Sequence, residues 1–94
     1  QLGAPGFLER VSVEGNNLVG TLPTDMGQLT ALTTLDFRTN SFNGTLPKEW
    51  SQLGALEGLY LDQNALVGTL PTEFGQLTGL LDLRINDNFL VGTL

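Results

Sequence analysis

The chain has 94 residues, room for one modest core, and that length excludes a multidomain enzyme. Four Lys+Arg stand against ten Asp+Glu, a formal net charge of -6, so no basic surface is available for nucleic-acid phosphates or an anionic membrane. Cysteine and histidine are absent, which removes a disulfide framework, a thiolate metal site, the commonest general base and the best thiol nucleophile.

No apolar run approaches the roughly 20 residues that span a bilayer, so direct membrane insertion by this segment is not expected. The start Gln1-Leu2-Gly3 carries neither an initiator Met nor a basic-then-apolar signal region, and the chain reads as a piece of something longer.

Self-similarity decides the fold. Gly20-Thr21-Leu22-Pro23 recurs as Gly44-Thr45-Leu46-Pro47 and Gly68-Thr69-Leu70-Pro71, and ends as Gly92-Thr93-Leu94, a period of 24. The same step relates Asn16, Asn40, Asn64 and Asn88, and the apolar sets Leu8/Leu32/Leu56/Leu80, Val11/Leu35/Leu59/Leu83, Val13/Phe37/Leu61/Ile85 and Leu18/Phe42/Leu66/Leu90.

Each unit opens with a predicted strand. Leu59 and Leu61 lie two apart with Tyr60 between them, the alternation of a strand with one buried face. Stacked coils place equivalent strands side by side at about 4.8 Å, giving a parallel sheet along one flank. The Asn follows, and in a sharp buried turn its amide can serve backbone groups of its own and the neighbouring coil. Four such residues predict a structural ladder of Asn16, Asn40, Asn64 and Asn88, because backbone groups in a narrow coil need partners.

Next comes Leu-x-Gly-Thr-Leu-Pro, in which Gly permits tight geometry, Thr favours extended structure and Pro ends the pairing; a second short extended segment is implied. Thr24-Asp25, Lys48-Glu49 and Thr72-Glu73 then precede Met26, Trp50 and Phe74, with Leu29, Leu53 and Leu77 three residues on, the spacing of one helical or 3₁₀ turn. An acid at the start of such a turn suits the partial positive charge there, a structural role. Trp50 is assigned to the core.

Leu-x-x-Leu-x-Leu-x-x-Asn-x-Leu-x-Gly-Thr-Leu-Pro resembles the plant-type leucine-rich repeat, usually written with Ile where this chain has Leu22, Leu46 and Leu70. Leu32 to Pro47 and Leu56 to Pro71 fit throughout with Phe37 and Phe42 as apolar substitutes, and the resemblance covers essentially the whole chain. It implies an α/β repeat solenoid, a right-handed coil with a concave parallel β-sheet, a short second extended segment and helical or 3₁₀ turns on the convex side. Such domains form the extracellular parts of plant receptor-like kinases and receptor-like proteins, and polygalacturonase inhibitors; similar repeats occur in algae and bacteria. The expectation is one domain over residues 1–94, about four repeats of a longer array, lacking both caps. Ala4-Pro5-Gly6 departs from the later Gln-Leu-Thr. Uncapped solenoids expose apolar ends, so marginal stability or self-association through them is expected.

With the Leu and Val of each strand inward, the outward columns read Arg10/Thr34/Gly58/Asp82, Ser12/Asp36/Tyr60/Arg84, Glu14/Arg38/Asp62/Asn86 and Gly15/Thr39/Gln63/Asp87. Glu14, Arg38 and Asp62 alternate in sign, as expected for cross-strand pairing. The recognition reading centres on Tyr60 between Asp36 and Arg84, because Tyr and Arg are enriched among residues that carry binding energy. Its candidate ligand-binding set is Arg10, Asp36, Arg38, Tyr60, Asp62 and Arg84, with a protein or peptide as partner, no nucleic acid and no cofactor. Four strands are under about 20 Å across, whereas a standard interface takes about 800 Å² per partner, so a complete receptor needs more repeats.

Asn43-Gly44-Thr45 matches the N-glycosylation pattern, and its Asn stands in a phase otherwise filled by Val19, Val67 and Val91. It supports a secreted context, in line with the extracellular or cell-surface location that the resemblance implies. Thr21, Thr45, Thr69 and Thr93 form a further column that raises a surface-adsorbing, ice-binding alternative; β-propensity explains them more simply. Asp82 and Asp87 could be paired as acid and base, but a shallow sheet offers no pocket, and surface charge accounts for them. No phosphate-binding glycine motif or metal-ligand cluster stands out, so the reading is non-enzymatic.

Overall fold

A computed structural model describes residues 8–15 and 17–91. Its strands are β1 (Arg10–Ser12), β2 (Val19–Thr21), β3 (Thr34–Asp36), β4 (Ser41–Asn43), β5 (Gly58–Tyr60), β6 (Val67–Gly68), β7 (Asp82–Arg84) and β8 (Phe89–Leu90). The 3₁₀ turns Thr24–Gln28, Lys48–Gln52 and Thr72–Gln76 lie between them. Strands β1, β3, β5 and β7 form one parallel sheet in that order, the concave sheet of a solenoid. The second strand of each coil pairs separately, β2 with β4 and β6 with β8.

The two sets of strands differ in register. On the concave sheet each residue faces its own repeat equivalent, Leu35 opposite Leu59 and Leu59 opposite Leu83. On the second flank Val19 faces Ser41, Thr21 faces Asn43 and Val67 faces Phe89, a slip of two residues. The expected Thr column is therefore staggered, with no Thr directly opposite the next. Gly44 shows why the motif needs glycine: its φ is +78°, and a Cβ there would lie 3.0 Å from Thr21 Cγ2 of the preceding coil.

The core fills the space between the two flanks. Leu32, Leu35, Trp50, Leu53, Leu59, Leu61 and Leu66 are fully buried. Phe37 stacks at 5.3 Å on Phe42 and meets Trp50 edge-on at 6.1 Å, and the Trp50 indole N–H donates to the Pro23 carbonyl at 2.9 Å. In the same phases, Leu8 and Leu18 are 40% exposed, since the first described coil has a neighbour on one side only among the described residues.

Prolines open the 3₁₀ turns, and no side chain caps them. The acids Asp25, Glu49 and Glu73 sit in their first turns, where the exposed N–H groups favour negative charge.

Each Asn amide binds two coils. Asn64 Oδ1 accepts from Phe42 N at 3.0 Å, while its Nδ2 donates to Phe37 O at 3.0 Å and Leu61 O at 3.1 Å. Asn40 repeats this with Leu18 N, Val13 O and Phe37 O, and Asn88 with Leu66 N, Leu61 O and Ile85 O. Asn16 lies outside the described residues, as do Thr93 and the Ala4-Pro5-Gly6 segment. Among the described residues no helix is long and apolar enough to cross a membrane.

Candidate functional site

The concave register sets Arg10, Thr34, Gly58 and Asp82 in one column and Ser12, Asp36, Tyr60 and Arg84 in the next. The same stagger continues beyond the strands. Val13 N donates to Asp36 O, Phe37 N to Tyr60 O and Leu61 N to Arg84 O, all at 2.8–2.9 Å, and Gly15, Thr39 and Gln63 donate to the carbonyls of Arg38, Asp62 and Asn86. The columns Glu14/Arg38/Asp62/Asn86 and Gly15/Thr39/Gln63/Asp87 thus share the face.

At its centre the Tyr60 ring lies back over Gly58. A Cβ on Gly58 would come within 2.8 Å of the Tyr60 hydroxyl and 3.0 Å of two ring carbons. Arg38 from the coil before and Arg84 from the coil after each bring a guanidinium carbon to 5.5 Å from the ring centroid. Cations over an aromatic face are attracted by its quadrupole, by about 0.5–1 kcal/mol at exposed sites, and the ring is thereby held between two neighbours.

Both arginines are already engaged by carboxylates. Asp36, itself buried, accepts from Arg38 N at 3.2 Å and meets Arg38 Nη2 at 3.2 Å. Glu14 Oε2 stands 3.5 Å from Arg38 Nε, in ion-pair range but not aligned to accept a hydrogen bond. Asp82 holds Arg84 at two points, Nε at 3.3 Å and Nη2 at 3.2 Å. That hydrogen bond, with the charge of Asp82 behind it, raises the Arg84 pKa above the ordinary arginine value.

Asp62 breaks the pattern. Its Oδ1 is buried with no hydrogen-bond partner, and among the described residues no arginine or lysine nitrogen lies in ion-pair range of it. The alternation of Glu14, Arg38 and Asp62 is therefore only half realised as pairing: Arg38 leans toward Glu14 and its own strand's Asp36. The slanted geometry of parallel strands lets a long side chain choose between its two neighbours.

Of the sequence candidates, the structure brings Asp36, Arg38, Tyr60 and Arg84 into one cluster with Asp62 beside it. Arg10 stands apart, with Nη1 3.5 Å from Thr34 Oγ1. Gly58 was not among the candidates, although a glycine in a column of Arg10, Thr34 and Asp82, two residues before a Tyr, is a readable signal of a ring needing room. A second omission is backbone strain at Thr39, Gln63 and Asp87, with φ of +59°, +61° and +58° in the phase where Gly15 has +72°. Thr39 Oγ1 donates to Gln63 Oε1 at 2.9 Å. Left-handed conformations are unfavourable for β-branched residues, and Gly15 was the clue. On the other flank, Asn43 is exposed at the end of β4.

A model of the family described as Leucine Rich Repeat matches residues 31–53 and 55–77. The chain belongs to the leucine-rich repeat family. Its repeats are of the plant type, and solved plant structures resemble it closely. The BIR3–SERK2 complex from Arabidopsis thaliana is 30% identical over 92% of this chain and 46% of that chain, with a TM-score of 0.87. The plant peptide hormone receptor RGFR1 in complex with RGF2 is 36% identical over 92% of this chain and 14% of that one, at TM-score 0.90. A plant ice-binding protein is 29% identical over 90% of this chain and 28% of that one, at TM-score 0.86. This leucine-rich repeat segment thus spans less than half the length of each. A search of curated proteins finds no match.

Proposed function

We propose that this leucine-rich repeat segment is a non-enzymatic recognition module that takes a protein or peptide on its concave face, at or outside the cell surface. The observation that carries this reading is the Tyr60 ring fixed over Gly58 by Arg38 and Arg84, an amphipathic contact whose ordering is already complete before a partner arrives. The likeness to a receptor solved with RGF2 and to a two-protein complex supports a partner of this class.

The test is panning of a displayed peptide library on the purified chain, with the retained peptides re-measured on Tyr60→Ala and Gly58→Val. Both variants should lose capture by about tenfold or more, as loss of a central aromatic anchor does. Undiminished capture by both would place recognition elsewhere.

A second reading has its own support. Thr21, Thr45 and Thr69, with Val19 and Val67, are exposed along the second flank, and a plant ice-binding protein shares the fold. Under this reading the flank adsorbs to a surface, and thermal hysteresis of the freezing point would survive Tyr60→Ala and disappear with Thr45→Lys. The two-residue stagger of these Thr weighs against it. Self-association is a third arrangement, favoured by exposed Leu81, Phe89 and Val91 on the last described coil, and concentration-dependent sedimentation would reveal it.

A further inference from the structure

We infer that the partner of the concave face presents a lysine or arginine side chain, received by Asp62. This deepens the recognition reading and rests on it. Three observations lead here.

The first is the state of the arginines. Arg38 is engaged by Asp36 and Glu14, and Arg84 by Asp82, while both lean on Tyr60. An anionic ligand would meet cations whose charge is already met by carboxylates at 3.2–3.5 Å, and would have to displace one of them.

The second is Asp62 itself. It lies in the column next to Tyr60, partly exposed, with Oδ1 buried and without a partner. One oxygen of this partly exposed carboxylate has been taken from water without a hydrogen bond, and a partner's cation at its open side offsets that cost by its charge. Arg84 acts on it only through its field, because its guanidinium is hydrogen-bonded to Asp82, and Arg38 is held by Asp36 and Glu14.

The third is the balance of the face. Glu14, Asp36, Asp62, Asp82 and Asp87 outnumber Arg10, Arg38 and Arg84, and the chain as a whole carries a formal charge of -6. A cationic segment is steered toward such a surface and an acidic one is turned away. With arginines flanking the Tyr60 ring from both neighbouring coils, the receiving group for a ligand cation is the Asp62 carboxylate, and the ring edge takes the aliphatic stem of the same side chain.

The test uses the purified chain and two sets of short synthetic peptides, randomised except for a fixed central Lys in one and Glu in the other. The Lys set should be retained in preference to the Glu set. Asp62→Asn should lower that retention about tenfold, the scale of one well-placed charge pair. Asp25→Asn removes the same formal charge from the exposed 3₁₀ turn Thr24–Gln28 and should leave retention unchanged. Thermal unfolding of Asp62→Asn should be unchanged or raised, which separates lost binding from lost fold.

Equal losses in the two Asn variants would reduce the effect to bulk charge and overturn the assignment. So would preference for the Glu set, or no retention of either. If Lys and Glu sets are retained equally and both are lost in Tyr60→Ala, the concave reading stands while the cation assignment falls.

Discussion

The concave sheet and the second flank are written by the same repeat, yet they carry different kinds of residue. On the concave sheet the exposed positions change from coil to coil, so that Gly58, Tyr60, Asp36 and Arg84 meet once and nowhere else in the described residues. On the flank the exposed positions are nearly the same in every coil, Val19-Gly20-Thr21 becoming Asn43-Gly44-Thr45 and Val67-Gly68-Thr69. A particular partner is recognised by a particular constellation, whereas uniformity suits packing or a periodic surface. The variable positions of a solenoid are where individuality can reside, because the repeated ones are committed to stacking.

The largest loss of stability is expected at the residue that ties the two flanks together. Asn64 is hydrogen-bonded to Phe42 N, leading to the flank, and to Phe37 O and Leu61 O, leading from the concave sheet. Asn64→Ala leaves these buried groups unpaired and should destabilise by about 3 kcal/mol or more, read from the denaturant midpoint. A loss below 1 kcal/mol would mean that water replaces the amide, about the value of a single exposed bond.

Tyr60→Ala should act on one face alone. With the ring only partly buried, the stability loss should be about 1 kcal/mol, far less than for a core aromatic. Recognition should fall far more than stability does; comparable losses in both would make Tyr60 a structural residue.

Thr39→Gly sharpens the contrast in the opposite direction. Replacing a β-branched residue at φ +59° with glycine removes strain but also the bond to Gln63, so a net gain of up to about 1 kcal/mol is expected, visible as a raised Tm.

The smallest effect on stability is expected on the flank. Asn43→Gln should leave the unfolding free energy within about 0.5 kcal/mol of the parent, as exposed substitutions do. Produced in a glycosylating secretory host, the parent should carry an enzymatically removable glycan that Asn43→Gln lacks; identical masses would remove Asn43 as an acceptor.

The coil, the Leu core and the concave register were legible because identical side chains at a fixed period have one common way to stack. Leu35, Leu59 and Leu83 face one another as their spacing requires. The stagger of the second flank was not legible, since it depends on how each chain path crosses the turn between the two sheets, and no residue type encodes that distance. The site was legible by column and illegible by contact. Tyr60 and Arg84 share a column by register, but the lean of Arg38 onto the same ring and away from Asp62 is a choice among rotamers. Gly58 and Thr39 were overlooked for a related reason: their importance lies in absent space and backbone angle, which carry no apolar periodicity.

The Asn bonds also have a direction. Asn40 reaches back to Val13 and Leu18, Asn64 to Phe37 and Phe42, and Asn88 to Leu61 and Leu66, always to the coil synthesised earlier. A coil emerging from the ribosome finds waiting every group that its asparagine must satisfy. The asparagine bonds of this solenoid thus close backward along the chain, whereas strand donors such as Val13 N and Phe37 N wait for the carbonyls of the coil that follows.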